Sequence, residues 1–160
     1  DVGFASMAVY SPLLQVSELF SDELVVAVGR RHRLAGKKSV TIEQIEREKW
    51  ILFERGSSIR RATDDFFKGV GVKPEKALES NDTYFVKLMI ERGFGISLLP
   101  RWAVREETEG NKLSIAAVAG HRLRRSVAMI SLKGASSSPI KTFIDFMLGR
   151  KSDLQTAARA

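Results

Sequence analysis

The residue types able to bind or react gather in two short clusters, Gly56-Ser57-Ser58 and Asn81-Asp82-Thr83. Each stands ahead of a stretch with helical apolar spacing: Ile59, Ala62, Phe66, Phe67 and Val70 after the first, Phe85, Leu88 and Met89 after the second. Hydroxyl and amide side chains beside the unpaired N–H groups of a helix start, where the macrodipole is positive, suit a carboxylate or phosphate. The same residues serve equally well as plain helix caps, so spacing leaves Ser57 and Ser58 open between ligand contact and N-cap. Asp82 would repel an anion and reads as an ordinary first-turn acid, which makes Asn81 and Thr83 the better contacts. Arg60 and Arg61 either raise the local positive potential or lie solvated on the polar face of their helix.

Nucleophilic catalysis would need a base near those serines, and none stands near them in sequence; "GSSIR" also lacks the pattern of a hydrolase nucleophile elbow. No enzyme and no cofactor is expected. With no cysteine, and with His32 and His121 as the only histidines, neither disulfides nor a thiolate or histidine-rich metal site is expected.

The net charge of +7 raises a nucleic-acid reading. The basic residues, however, fall in two knots, "GRRHR" at 29–33 and "HRLRR" at 121–125, without interleaved aromatics and outside any helix-turn-helix, zinc finger or RNA-binding motif. Solvated loop and strand-edge charge is the preferred reading of both. A length of 160 residues with 44% hydrophobic content suits one ordinary core or two small lobes. The apolar runs are strand-sized, and the first ten residues lack the pattern of a secretory signal, so no membrane contact and a cytoplasmic location are expected.

The elements that must position the two clusters follow from periodicity. Short strands are expected at 2–4, 13–19, 50–53 and 76–78, and "ELVVAVG" at 23–29 reads as a strand covered on both faces. Thr41 and Gln44 form a capping box ahead of a short helix over 42–48. In "SNDTYFVKLMIERGFGISLLP" at 80–100, a capped helix runs through a glycine turn into a buried strand, with Gly93 and Gly95 permitting left-handed backbone. Beyond it come a helical stretch stopped near Gly110, then "LSIAAVAG" and "RRSVAMISL" as strands. Ser138-Pro139 starts a helix with apolar positions Ile140, Phe143, Ile144, Met147 and Leu148. Residues 151–160 lose the pattern and are expected to fray. Strand ends followed by helix starts are the walls of small-molecule sites in open α/β sheets, so 56–58 and 81–83 are expected to face one cleft.

"DVGF", "ELVVAVGRRHRLAG", "WILFERGSSIR", "RGFGISLLP" and "SPIKTFIDFML", taken in this order, resemble the C-terminal effector-binding (substrate-binding) domain of LysR-type transcriptional regulators across nearly the whole chain. The resemblance implies an α/β fold like type 2 periplasmic binding proteins, with two Rossmann-like subdomains, two crossing strands and an inducer between them. Here the crossings would be 23–29 and 126–132. The first subdomain, incomplete at its start, would be 1–25 and 130–150, the second 26–129, and 151–160 a flexible tail. The implied effector-facing residues are Gly56, Ser57, Ser58, Asn81 and Thr83, with Phe94 and Gly95 opening a floor or hinge at 94–99. The family's "HPLA" stands here as His32, Arg33, Leu34 and Ala35, without the proline that firms the turn.

The function so implied is sensing of a small-molecule effector, a small carboxylate or other anion, by a bacterial regulator. The alternative is a fragment of a periplasmic-type solute-binding protein, and the upstream sequence separates the two. By the same resemblance the partners are the effector and a second copy in a homodimer or higher homo-oligomer. DNA would be contacted only through a helix-turn-helix domain absent from this chain. The strand at 2–4 and the apolar face of the 140–148 helix, left without the family's opening elements, are expected to drive self-association.

Overall fold

The computed structural model describes residues 1–6, 11–134 and 137–159. In chain order the elements are β1 Val2–Ala5, β2 Leu14–Gly29, β3 Ser39–Val40, α1 Ile42–Ile45, β4 Lys49–Leu52, α2 Ser58–Val70, β5 Glu75–Glu79, α3 Thr83–Glu91, β6 Ser97–Pro100, a 3-10 turn Arg101–Val104, α4 Arg105–Glu109, β7 Leu113–Val118, β8 Arg124–Leu132, α5 Ser138–Gly149 and α6 Lys151–Arg159. They fall into two compact units, residues 1–22 with 124–160 and residues 23–123. The units change over at 22/23 and 123/124, both earlier in the chain than the changes expected at 25/26 and 129/130.

In the first unit β1 pairs antiparallel with β8, Val2 opposite Ser131 and Ala5 opposite Ala128. The first part of β2 lies on the other side of β8. Phe4 meets Phe143 of α5 edge to face at 6.5 Å. Asp22, the last residue of this unit on β2, has a fully buried side chain and takes a fork from Arg125 of β8, Nε and Nη2 each donating at 2.9 Å. Burying a carboxylate is costly unless such a bidentate partner meets it. The tail expected to fray is instead helix α6. Gln155 donates to the Ser21 carbonyl at 2.8 Å and accepts from its N–H at 3.0 Å, and Ala158 is buried. Two backbone hydrogen bonds from one amide replace the long apolar face that the sequence lacks.

The second unit is built on one mixed sheet in the order β5-β4-β6-β2-β7-β3. β4 and β5 are parallel, Trp50 bridges to Ile96 beside β6, β2 is antiparallel to both β6 and β7, and β3 runs parallel to β7. Every strand but β2 therefore points the same way. Strand periodicity sorts the core cleanly. Val26, Val28, Trp50, Leu52, Ile96 and Leu98 face one side, where Phe66 and Phe67 of α2 and Ile45 of α1 cover them. Val25, Ala27, Ile51, Phe53 and Leu99 face the other, under Val86 and Ile90 of α3. Continuous apolar runs such as "LVVAV" are what a strand covered on both faces requires.

Two strands expected separately, 13–19 and 23–29, are one strand of 16 residues. The short helix expected over 42–48 stops at Ile45, and its capping box is formed as expected. The turn at His32 to Ala35 closes without proline, because the Ala35 N–H donates to the His32 carbonyl at 2.9 Å and Glu48 receives both Arg33 and His32.

Candidate functional site

β4 ends at Leu52, and the chain turns through Glu54 and Gly56 into α2; β5, its neighbour, ends at Glu79 and turns through Asn81 into α3. The two helix starts thus share the carboxyl edge of adjacent parallel strands. Their helices leave to opposite faces of the sheet, α2 over Trp50 and Leu52, α3 over Ile51 and Phe53. The expectation of two walls facing one cleft needs that correction: the loops adjoin, and the helices behind them diverge. Such divergence from neighbouring strands is the arrangement that opens a crevice outside the strand ends of an α/β sheet.

The first loop needs glycine at Gly56, whose φ of +96° disfavours any side chain. Ser57 takes extended backbone and caps α2, its Oγ accepting from the Arg60 N–H at 3.1 Å. Ser58 follows as the first helical residue. In the second loop Asp82 caps α3 with one carboxylate oxygen, accepting from the N–H groups of Tyr84 at 2.8 Å and Phe85 at 3.2 Å. Thr83 opens the helix, and Asn81 reaches across to the first loop, its amide donating to Glu54 at 2.8 Å. The Ser80 N–H donates to the Leu52 carbonyl at 3.1 Å. These two bonds set the loops against each other.

Arg60 is the bolt beneath them. Buried, it donates to the Phe53 carbonyl at 2.8 Å, to Glu79 at 3.0 Å and to Asp64 at 2.8 Å. Burial works to lower its pKa, but the bond and charge of Asp64, and then Glu79, outweigh that and raise it. The Glu79 carboxyl is held below its ordinary 4.5, first by the hydrogen bond from Lys76 and then, against a burial penalty, by the charges of Lys76 and Arg60. Arg60 is therefore neither solvated nor a source of free positive potential, since two carboxylates match it.

Phe94 and Gly95 lie elsewhere. The Ile96 N–H donates to the Lys49 carbonyl at 2.8 Å, which puts this stretch beside the beginning of β4, roughly 13 Å of strand away from the helix starts. Gly95 does not adopt a positive φ; a Cβ there would sit 2.5 Å from the Lys49 oxygen, so it is close strand approach that excludes a side chain. Residue spacing missed Glu54 and Glu79 as members of the edge. Glu54 follows "WILF" directly, and a carboxylate just past a buried strand was the available signal.

The histidines are engaged away from this edge, His32 Nε2 with Glu48 at 3.2 Å and His121 against the Phe66 ring at 5.6 Å between centroids. Among the described residues no group of three or more His, Cys, Asp or Glu could hold a metal ion, and no helix is long and apolar enough to cross a membrane.

Known proteins align with this architecture over most of the chain. The family profile described as the LysR substrate binding domain matches residues 1–152. The HTH-type transcriptional regulator CysL of Bacillus subtilis is 26% identical over 81% of the chain and 44% of its own length. An uncharacterized HTH-type transcriptional regulator of Escherichia coli, YeiE, is 31% identical over 91% of the chain and 50% of its own length. The chain spans about half the length of these curated relatives. Among solved structures, the regulatory domain of Synechocystis CcmR in complex with 2-PG superposes with a TM-score of 0.86 at 26% identity, covering 97% of this chain and 75% of that one. The effector binding domain of QuiR in complex with shikimate superposes with a TM-score of 0.85 at 22% identity, covering 97% and 73%. The fold is the periplasmic-binding-protein-like α/β fold expected, and the resemblance carried by the ordered sequence pieces is borne out over 152 residues: this chain belongs to the LysR substrate-binding domain family.

Proposed function

We propose that the chain is the effector-sensing part of a LysR-type transcriptional regulator, and that its second unit receives a small anion at the edge formed by Gly56, Ser57, Ser58, Asn81 and Thr83. The observation that carries this reading is the divergence of α2 and α3 from the adjacent ends of β4 and β5, with the two loops tied by Asn81 and Glu54. Hydroxyls, an amide and helix-start N–H groups supply donors at that edge. The binding of 2-PG by CcmR and of shikimate by QuiR supports a small ligand for this chain as well. Phe94 and Gly95 are left out of the proposed contacts. The relatives are transcriptional regulators, which supports a sensor without catalysis in the cytoplasm; Ser57 Oγ accepts from a backbone N–H, and both histidines are engaged elsewhere. DNA binding belongs, in this reading, to a helix-turn-helix outside these 160 residues.

Calorimetric titration with a panel of small carboxylates, shikimate among them, tests the site. A carboxylate that binds the parent chain should bind Ser58→Ala/Thr83→Ala at least tenfold more weakly, as expected from losing hydrogen bonds to an ionised partner at about 1.5 to 3 kcal/mol each. Equal affinity for both proteins would remove the assignment.

Self-association is the second part of the proposal. In the first unit Phe4 of β1 packs edge to face on Phe143 of α5, and these two with Phe146 of the same helix are 56, 41 and 57% exposed, apolar surface that suits burial against a second copy. Light scattering at micromolar concentration should give a dimeric mass, and a strictly monomeric mass would reject this part.

A further inference from the structure

The other end of the second unit's sheet carries a pocket of about 580 Å³ on which the effector reading makes no demand. It lies where β2 ends and where β3 and β7 begin. Arg30, Lys37 and Lys38 stand around it, Thr108, Asn111 and Ser114 add neutral polar groups, and among the described residues no aspartate or glutamate lines it.

Two hydrogen bonds fix the backbone that presents these cations. The Arg30 N–H donates to the Lys112 carbonyl at 3.2 Å, and the Gly36 N–H, immediately before the lysine pair, donates to Ser114 Oγ at 2.9 Å. The Lys38 carbonyl in turn accepts from the Ala117 N–H at 3.0 Å, which secures the lysine strip along β7. Asn111 adopts a left-handed φ of 55°, and in the orientation that satisfies both groups its amide oxygen accepts from the two terminal nitrogens of Arg30 at 3.1 and 3.2 Å.

Several other cations of the chain meet carboxylates. Arg33 meets Glu48, Arg60 meets Asp64 and Glu79, Lys87 meets Glu107, Arg101 meets Glu23 and Arg125 meets Asp22. Among the described residues Arg30, Lys37 and Lys38 make no ion pair. Cations gathered on a fixed backbone without an acid repel one another, and a multiply charged anion placed among them relieves that repulsion. The volume falls within the range of small-ligand sites, and Leu113 and Ile115 in the lining give an apolar wall for the uncharged part of a ligand.

We propose that this pocket is a second anion site, separate from the effector edge, that takes a phosphorylated small molecule with the phosphate among Arg30, Lys37 and Lys38. The test is titration of the isotope-labelled chain with inorganic pyrophosphate at constant ionic strength, followed by backbone amide shifts. The amides of Arg30, Gly36, Lys38 and Ser114 should shift and saturate together, while those of Ser57 and Thr83 stay in place. Lys37→Ser/Lys38→Ser should weaken that binding at least roughly tenfold with an unchanged melting temperature. Shifts that fail to saturate below about 10 mM, or binding unaltered in the variant, would overturn the proposal. So would displacement of pyrophosphate by a short random-sequence duplex at lower phosphate concentration, because the surface would then be a nucleic-acid contact.

Discussion

The two ends of the second unit's sheet handle charge in opposite ways. At the carboxyl edge Arg60 is matched by Asp64 and Glu79, Lys76 by Glu79, and Glu54 receives the Asn81 amide. At the amino end Arg30, Lys37 and Lys38 surround a pocket that no acid lines among the described residues. Attraction and recognition are thus separable on one sheet. The carboxyl edge presents hydroxyl and amide donors held by neighbours above a compensated Arg60; the amino end presents three cations without an ion pair among the described residues. Anion binding at the first should therefore depend weakly on salt, and at the second steeply.

The backbone packing differs just as sharply, and the largest predicted effect tests it. Gly95→Val drives a side chain into the Lys49 carbonyl, 2.5 Å from an ideal Cβ, so urea denaturation should show a loss of more than about 3 kcal/mol or no folded protein. Gly56→Ala, where an added Cβ meets nothing within 4 Å and only the positive φ is strained, should cost about 1 to 2 kcal/mol. Equal losses would erase the distinction between a jammed strand and an open turn.

Next in size is Arg60→Ala, which strips the Phe53 carbonyl and Glu79 of their donor. Breaking a buried pair costs several kcal/mol, but Asp64 and Glu79 are 53 and 26% exposed, which brings the expected loss to about 2 kcal/mol. Ser57→Ala removes one cap and should cost about 1 kcal/mol, readable as a shift in denaturation midpoint with unchanged slope.

The smallest effect is in pH. The Glu79 carboxyl lies below 4.5 in the folded chain, so its contribution is fully present above that pH and is lost as pH falls through the folded value. Glu79→Gln should flatten the acid side of the stability profile, and an identical slope in the variant would show that other carboxylates carry it.

Much of this was legible locally. The faces of α2, α3 and α5 follow from apolar spacing, the buried strands from uninterrupted apolar runs, and the family from the order of the pieces. What failed is non-local. "SELFSDE" looks like a break between two strands because it is polar, yet Asp22 is buried by Arg125, 103 residues further on. The tail lacks a long apolar face, and its helix is held by Gln155 reaching Ser21, 134 residues away. Gly95 was read as a turn residue because spacing does not reveal that the stretch entering β6 runs hard against Lys49, and this same contact sets Phe94 and Gly95, implied by resemblance as the start of a floor or hinge, apart from the helix starts. Ser57 was open between ligand contact and cap and Asp82 read as a first-turn acid, and the structure shows both as caps.

Whether a small carboxylate is received at the carboxyl edge of β4 and β5 is decided by amide shift mapping with a carboxylate identified by calorimetry. Saturable shifts are expected at Gly56, Ser57, Ser58, Asn81 and Thr83 that persist when salt is raised, with Arg30 and Lys38 unmoved. Saturable shifts confined to Phe94 and Gly95, or to the pocket at Arg30 and Lys38, would contradict binding at that edge.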